Sequence, residues 1–437
     1  MKIVYITQRL PFGTGETFVV PEVQALLDAG HEVRIVPRIS REPVIHDDVS
    51  ALLPRTCRLP GAFRIATALA AQLARDPRGT LQMFWALRHT RPLWRAILNS
   101  RATVHGIWVG QMAKAWGAQH IHAHWSYLTA TLAMSASTVT KIPWSFTAHR
   151  YDIVRNNLLA QKLRSARFGR FISQETLAMG RSLVPPDAMA RAILLHMGVV
   201  LPGLPEGRAP QRARPIVLCP ARLIPVKGQT YLLDAAAHLR QRGVVFDLWL
   251  AGDGPDQSRL TRKIEELGLA ASVRMLGMVP HAELLRLYRE QAVDCVVLPS
   301  LDLGHHVHEG ISVALMEAMA HGIPTIGTST GGLPELLGGG AGLVVPPADA
   351  GVLAEALQRV LGSARLRSDL ARAGRRRIEE EFEVGAITRE LVRGFDGILP
   401  PDRRRKPGHY SLPERRLQPE RRSAGGRNAP ALTTFLN

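Results

Sequence analysis

The chain has 437 residues, 46% of them hydrophobic and 5% aromatic, enough for two globular domains with separate cores. With 55 Lys and Arg against 37 Asp and Glu, its net charge is +18 and its pI about 10.8. That balance excludes an acidic surface and points either to an Arg-rich background or to an anionic partner: nucleic acid, a membrane surface or a phosphorylated substrate.

Three scattered cysteines, Cys57, Cys219 and Cys295, exclude a disulfide scaffold and form no CxxC pair. No apolar run reaches the ~18–20 residues of a transmembrane helix. MKIVYITQRL reads as a strand rather than a leader, so a cytoplasmic protein is expected.

The first half alternates strands and helices. Lys2 to Thr7 is a buried strand, the loop Gln8 to Glu16 carries Gly13 and Gly15, a helix runs from Thr17 to about Ala29, and His31 to Pro37 is the next strand. A β–loop–α–β start implies an α/β fold with a parallel sheet and ligands at the strand C-terminal ends. A glycine-containing loop after the first strand is a place where a diphosphate can approach the backbone.

Residues 61–118 are helical in period. They carry Trp85, Trp94, Trp108 and Trp116 with eight basic residues and one acid, Asp76. Basic residues interleaved with Trp, Phe and Leu suit an anionic membrane surface. The competing reading puts the Trp residues in the core and the Arg residues on a solvated face. RNA binding is disfavoured, since no RNA-binding signature accompanies the charge.

Gln119 to His124 is a strand, Trp125 to Ala136 a helix, and Pro143 to His149 a strand that leads into Arg150-Tyr151-Asp152-Ile153. His122 and His124 share a strand face, but no paired Cys or acidic ligand argues for zinc. Further strands are expected at Arg170 to Ser173 and Ile193 to Val199. The Pro-, Gly- and Arg-rich stretch around 204–214 reads as a linker between a domain at 1–203 and one at 215–399. Residues 400–437, rich in Arg, Pro and Gly, read as a disordered basic tail.

The second half restarts the pattern. A strand at Ile216 to Pro220 runs into Arg222 and Lys227-Gly228 and then a helix, so two cations stand at a strand-to-helix turn. Val245 to Ala251 ends in Gly252-Asp253-Gly254, Val273 to Gly277 in a turn at Met278, and Val293 to Pro299 feeds a polar, His-rich loop. Helices from Asp349 to about Leu399 close the domain.

That loop runs through His305, His306, Val307 and His308 to Glu309-Gly310, and a helix is expected from about Ser312 to Ala320. Free N–H groups and the dipole at a helix start favour phosphate. Glu309 and Glu317 are eight residues apart, roughly 12 Å along a helix. That is about the length of a folded sugar–diphosphate–ribose unit. One carboxylate can accept hydrogen bonds from sugar hydroxyls and the other from ribose.

The string Glu309, Gly310, Glu317, Ala318, Met319, Gly322, Pro324, Gly331-Gly332 and Pro334-Glu335 resembles the donor-site signature of glycosyltransferase family 4, a retaining family with the GT-B fold. Arg222-x-x-x-x-Lys227-Gly228 resembles its diphosphate clamp. The runs HAHW and WSFTAHxxDI, with the loop Gly15-Glu16-Thr17-Phe18, resemble its exopolysaccharide branch of the colanic-acid and amylovoran type. Three positions depart from the pattern: Ser312 for a frequent Pro, Val226 for an acidic residue, and Gly15 for Ser.

The resemblance implies two Rossmann-like domains facing across a cleft, with the acceptor in the first and the donor in the second. It implies catalytic roles for His149, Glu309, Arg222 and Lys227. Donor contacts are expected from Gly13, Gly15, Gly252, Asp253, Gly254, Met278, Glu309, Gly310, Ile311, Ser312, Val313 and Glu317, with the turns at 252–254 and 278 lining the base pocket. The implied activity is retaining transfer from a nucleotide-diphosphate sugar to a polyprenyl-diphosphate-linked saccharide, at the inner face of the membrane. No Asp-x-Asp motif exists in the chain, so no metal and no other cofactor is expected. The rivals are a nucleotide-sugar epimerase or phosphorylase of the same fold, and a catalytically inactive scaffold that binds membranes or RNA.

Overall fold

The computed structural model describes residues 1–398 apart from 14, 45–46, 205–211 and 305. The basic tail at 400–437, most of the linker at 204–214 and His305 therefore lie outside the described residues.

Two six-stranded sheets organise the chain. The first comprises β1 (Lys2–Thr7), β2 (Glu32–Pro37), β3 (His120–His124), β4 (Trp144–Ala148), β5 (Phe168–Phe171) and β6 (Ala192–Leu194), in the order β2-β1-β3-β4-β5-β6. The second comprises β7 (Ile216–Pro220), β8 (Asp247–Ala251), β9 (Val273–Gly277), β10 (Cys295–Leu298), β11 (Thr325–Thr328) and β12 (Leu343–Val345), in the order β12-β11-β10-β7-β8-β9. Every pairing is parallel.

Central strands such as β3, β4, β10 and β11 are buried along their whole length, as parallel strands covered by helices on both faces must be. Each sheet reverses its strand order once, between β1 and β3 and between β7 and β10. Crevices at such reversals, beyond the strand carboxyl ends, are where α/β sheets bind ligands. Both halves thus have the Rossmann-like organisation expected.

Three local readings change. The helix expected from Trp125 begins only at Leu128, because Trp125 has φ +82°, outside the helical region. A helix at His281–Arg289, not anticipated, follows β9. The closing helices do not all belong to the second domain. Val384–Phe395 returns to the first, where Ile387, Leu391 and Phe395 share an apolar cluster with Ile3, Tyr5, Val23 and Phe168. Phe395 stacks on His120 at 4.3 Å. The chain passes between domains at two adjacent points, since Val199 and Glu383 form an isolated bridge.

Side chains also join the two halves. Glu335 accepts from the Gln174 N–H at 2.9 Å and pairs with His196 Nε2 at 2.8 Å, while His308 Nε2 pairs with Glu175 at 3.0 Å. Burial pushes the His308 pKa down, but Glu175 and the Glu309 carbonyl outweigh it, and the net direction is upward. A raised histidine pKa contributes stability fully below the ordinary value of about 6.5, lost as pH rises through the folded value. Dyes placed one on each domain should therefore report a wider mean separation at about pH 8 than at about pH 6. Glu175→Gln should flatten that change, and an invariant separation in the unsubstituted chain would rule the contact out as a closure determinant.

Candidate active site

The second domain's reversal brings together two loops, the turn after β7 and the loop after β10. Lys227 Nζ forms an ion pair with Glu309 Oε2, which also accepts from Ser300 Oγ at 3.1 Å. The Leu301 N–H donates to Val226 O at 2.8 Å, tying the loops by their backbones as well. Gly228 follows Lys227 with φ +67°, and a Cβ there would collide with Pro299 O. Only glycine lets this turn lie against the end of β10. Gly331, at φ +52°, approaches the Glu309 carbonyl just as closely and supports the loop from below.

Glu309 is mostly buried. Burial raises its pKa, but the Lys227 charge and hydrogen bond, Ser300 and the Arg150 charge outweigh this and hold it below the ordinary carboxylate value. It stays ionised, an acceptor-only group at the mouth of the loop.

Ser312 caps the helix Val313–Ala320, its Oγ accepting the Leu315 N–H at 3.4 Å. Gly310, Ile311 and Val313 flank this cap, half-buried. Within that helix, Glu317 meets His281 Nε2 at 2.8 Å, a partner carried by the helix that sequence reasoning missed. A histidine opening a helix after a Pro turn gave no local signal of that role.

The expected base rim is held by backbone. The Leu223 N–H donates to Asp253 O at 2.7 Å and the Gly252 N–H to Gly277 O at 2.7 Å. The Arg222 turn, the Gly252–Gly254 turn and the turn before Met278 thus form one continuous edge, with Met278 66% exposed. Arg222 does not join Lys227. Its side chain is exposed and has no hydrogen-bond or ion-pair partner among the described residues.

Across from this edge, the first domain presents His149 at the end of β4. Its Nε2 lies 2.8 Å from His124 Nε2. His124 Nδ1 lies 3.1 Å from the Tyr5 hydroxyl, which donates to Glu22 Oε1 at 2.6 Å, and Arg170 Nη1 holds the other Glu22 oxygen at 2.5 Å. A carboxylate accepts only, so the Tyr5 proton goes to Glu22 and the Tyr5 oxygen accepts from His124 Nδ1–H. The bare His124 Nε2 then accepts from His149 Nε2–H. Burial, the neighbouring His124 and Arg170 push the His149 pKa well down, so the ring is neutral. Its other edge faces the Asp152 amide at the start of the helix Arg150–Val154.

Glu22, His122 and His124 place ligand-type atoms within 4.8 Å of one another. Those atoms are spoken for. His122 meets Ser145 at 2.8 Å and Thr147 at 3.0 Å, and Glu22 meets Tyr5 and Arg170. The cluster therefore reads as a hydrogen-bonded interior.

Glu16 is the structural member of the Gly15-Glu16-Thr17-Phe18 loop. Its carboxylate accepts from the backbone N–H groups of Gln8, Arg9 and Leu10 and from Trp125 Nε1. The Gly13 N–H donates to Pro43 O at 2.9 Å, and Gly15 is exposed. Trp125 packs 4.3 Å from the His149 ring. Its left-handed backbone is held by Asp152, which accepts the Ser126 N–H, and by buried Lys162, which donates to Ser126 O at 2.8 Å and Tyr127 O at 2.6 Å.

Residues 206–377 match the family model Glycosyl transferases group 1. Over its length the chain is similar to the putative colanic acid biosynthesis glycosyltransferase WcaL of Escherichia coli K12, at 27% identity, covering 90% of this chain and 98% of the relative. It is similar at 26% identity, with the same coverage, to the amylovoran biosynthesis glycosyltransferase AmsK of Erwinia amylovora. Among solved structures it superposes on a sucrose-phosphate synthase from Thermosynechococcus elongatus with TM-score 0.65 and 22% identity, covering 90% of this chain and 98% of the other. Anabaena Alr3699/HepE in complex with UDP gives TM-score 0.64 and 16% identity, covering 91% and 100%. Two facing parallel sheets of this order, with a Lys–Glu pair at the second reversal, agree with those likenesses: the chain has the GT-B fold, and its residues 206–377 form a glycosyl transferases group 1 domain.

Proposed function

We propose that this enzyme transfers a sugar, with retention, from a nucleotide-diphosphate donor to a polyprenyl-diphosphate-linked saccharide in exopolysaccharide synthesis. The Lys227–Glu309–Ser300 cluster at the β7/β10 reversal is the observation that carries this reading. The UDP bound in the Anabaena Alr3699/HepE complex, and the roles of WcaL and AmsK in colanic acid and amylovoran biosynthesis, support the donor class and the setting.

Breaking the bond from the anomeric carbon to phosphate leaves negative charge on the nucleoside diphosphate, which must be stabilised in the transition state. Lys227 supplies a cation beside the capped start of Val313–Ala320. Arg222, exposed on the same rim and without a side-chain partner among the described residues, is available to the diphosphate. These groups make a bound metal unnecessary in this reading. Glu309, kept ionised, accepts from sugar hydroxyls, and Glu317 from ribose after exchanging His281. Neutral His149 contributes a hydrogen-bonding face rather than a charge. The acceptor oxygen attacks from the leaving-group side, its proton passing to the departing phosphate oxygen as the new glycosidic bond forms.

Melting curves of the full chain with UDP, GDP, ADP and dTDP, each with EDTA and with magnesium, test the donor site. A ligand at 100 times its Kd stabilises by about 2.7 kcal/mol. One diphosphate should raise the melting temperature equally in both conditions, and Glu317→Ala should abolish the rise. A response to none of the four would remove the donor-site reading. Lys227→Ala should lower kcat/KM by about 2–4 kcal/mol in transition-state free energy, the cost of one charge-stabilising donor; wild-type turnover in this variant would refute the role.

A membrane surface is the second proposed partner. Among the described residues no helix is long and apolar enough to cross a membrane. Three consecutive helices, Ala62–Arg75, Pro77–Ala86 and Leu93–Trp116, expose Phe63 (80%), Trp85 (66%) and Trp94 (53%). Arg88 and Arg95 lie over the Trp85 and Trp94 rings at 4.6 and 5.3 Å. Trp108 and Trp116, in contrast, pack on the core. Apolar side chains in water beside arginines suit anionic headgroups. The protein should pellet with anionic vesicles, less so as salt rises and less so in the Trp85→Ser/Trp94→Ser variant. Equal binding to neutral vesicles at every salt concentration would refute it.

A further inference from the structure

One charged side chain at the cleft has no role in the site so far. Arg150 follows His149 and opens the helix Arg150–Val154 beyond the carboxyl end of β4, on the side of the first domain that meets the second. It is half-buried, and its Nε is closed off from solvent without a hydrogen-bond partner. Its guanidinium forms no ion pair with any carboxylate among the described residues.

The charges around it are those of Glu175, Glu309 and Asp302. Each is already engaged. Glu175 Oε1 pairs with His308 at 3.0 Å, Glu309 with Lys227 and Ser300, and Asp302 Oδ1 accepts the Gly304 N–H at 3.0 Å. Glu175 Oε2 is a buried acceptor with no hydrogen-bond partner among the described residues. A guanidinium carries five N–H donors, and withdrawing it from water without acceptors costs free energy. A fork of donors set among carboxylates that other groups hold is completed by an anion from outside the chain, and planar bidentate pairing makes arginine suited to phosphate.

We propose that Arg150 is a diphosphate-binding residue contributed by the first domain, taking a phosphate oxygen in the cleft opposite Lys227. This rests on the donor-site reading above. Its position by Glu309 and Asp302 favours the donor's diphosphate, and a diphosphate on the acceptor shares the same chemistry.

Calorimetric titration of the full chain, as wild type, Arg150→Gln, Arg150→Lys, Lys227→Ala and Glu175→Gln, separates these sources. The probes are the nucleoside diphosphate that the wild type prefers, its parent nucleoside, and a short polyprenyl diphosphate. Arg150→Gln should weaken the nucleoside diphosphate roughly tenfold or more, the effect of losing a charged hydrogen bond, and leave the nucleoside unchanged. Arg150→Lys should recover part of the loss. A loss confined to the polyprenyl diphosphate would assign the same role toward the acceptor. Unaltered affinity for both diphosphates at a wild-type melting temperature would overturn the proposal, as would an equal loss in Glu175→Gln, which would make Arg150 a structural partner of Glu175. Loss in Lys227→Ala alone would leave the donor site standing and refute Arg150.

Discussion

A buried carboxylate cannot stay charged without a partner, and in the second domain that constraint is met by Lys227 against Glu309. The two residues arrive on loops from neighbouring parallel strands, 82 positions apart in sequence. Their pairing sets the ionisation of Glu309, the approach of the two loops and the position of the helix that Ser312 caps. Gly228 and Gly331 permit the approach because any Cβ at either place would strike a carbonyl oxygen. The signature string is thus one geometric unit, with the glycines needed as much as the charged groups.

The first domain handles polarity differently. Its cleft histidine is neutral and held from behind by a line of hydrogen bonds that ends in the buried Glu22–Arg170 pair. Removing one partner from such a pair leaves an uncompensated charge, typically costing about 3–5 kcal/mol. The line therefore fixes the tautomer of His149 and anchors β1, β3 and β5 to the helix Val20–Asp28. Beside it, Asp152 and Lys162 hold Trp125 in a backbone conformation that a bulky residue rarely adopts. Burial raises the Asp152 pKa to about 6 and lowers that of Lys162 to about 7, so both clamp groups titrate near neutrality.

The two halves are joined where the chain passes between them side by side, at Val199 and Glu383. Two passages lying together leave the cleft free to open about that point, while Glu335 with His196 and His308 with Glu175 bridge it elsewhere. The helix Val384–Phe395 then docks on the first domain. Amphipathic spacing announces that a helix has an apolar face. It does not say which of two cores that face will meet, and proximity in sequence favoured the wrong one.

The alternation of apolar strands with amphipathic helices was legible in the residues alone, because period and turn chemistry are local properties. So were the cation after β7, the two glutamates flanking a helix start, and the histidine ending β4. Tertiary structure alone decided the partners. Glu317 meets His281, Glu16 gathers its own loop and Trp125, Arg222 stays in solvent while Lys227 pairs, and Arg150 reaches the cleft with its buried Nε unpartnered among the described residues. These outcomes depend on contacts between segments distant in sequence, and a side chain's electrostatic neighbours are set by how sheets and loops close in space, for which no local pattern exists.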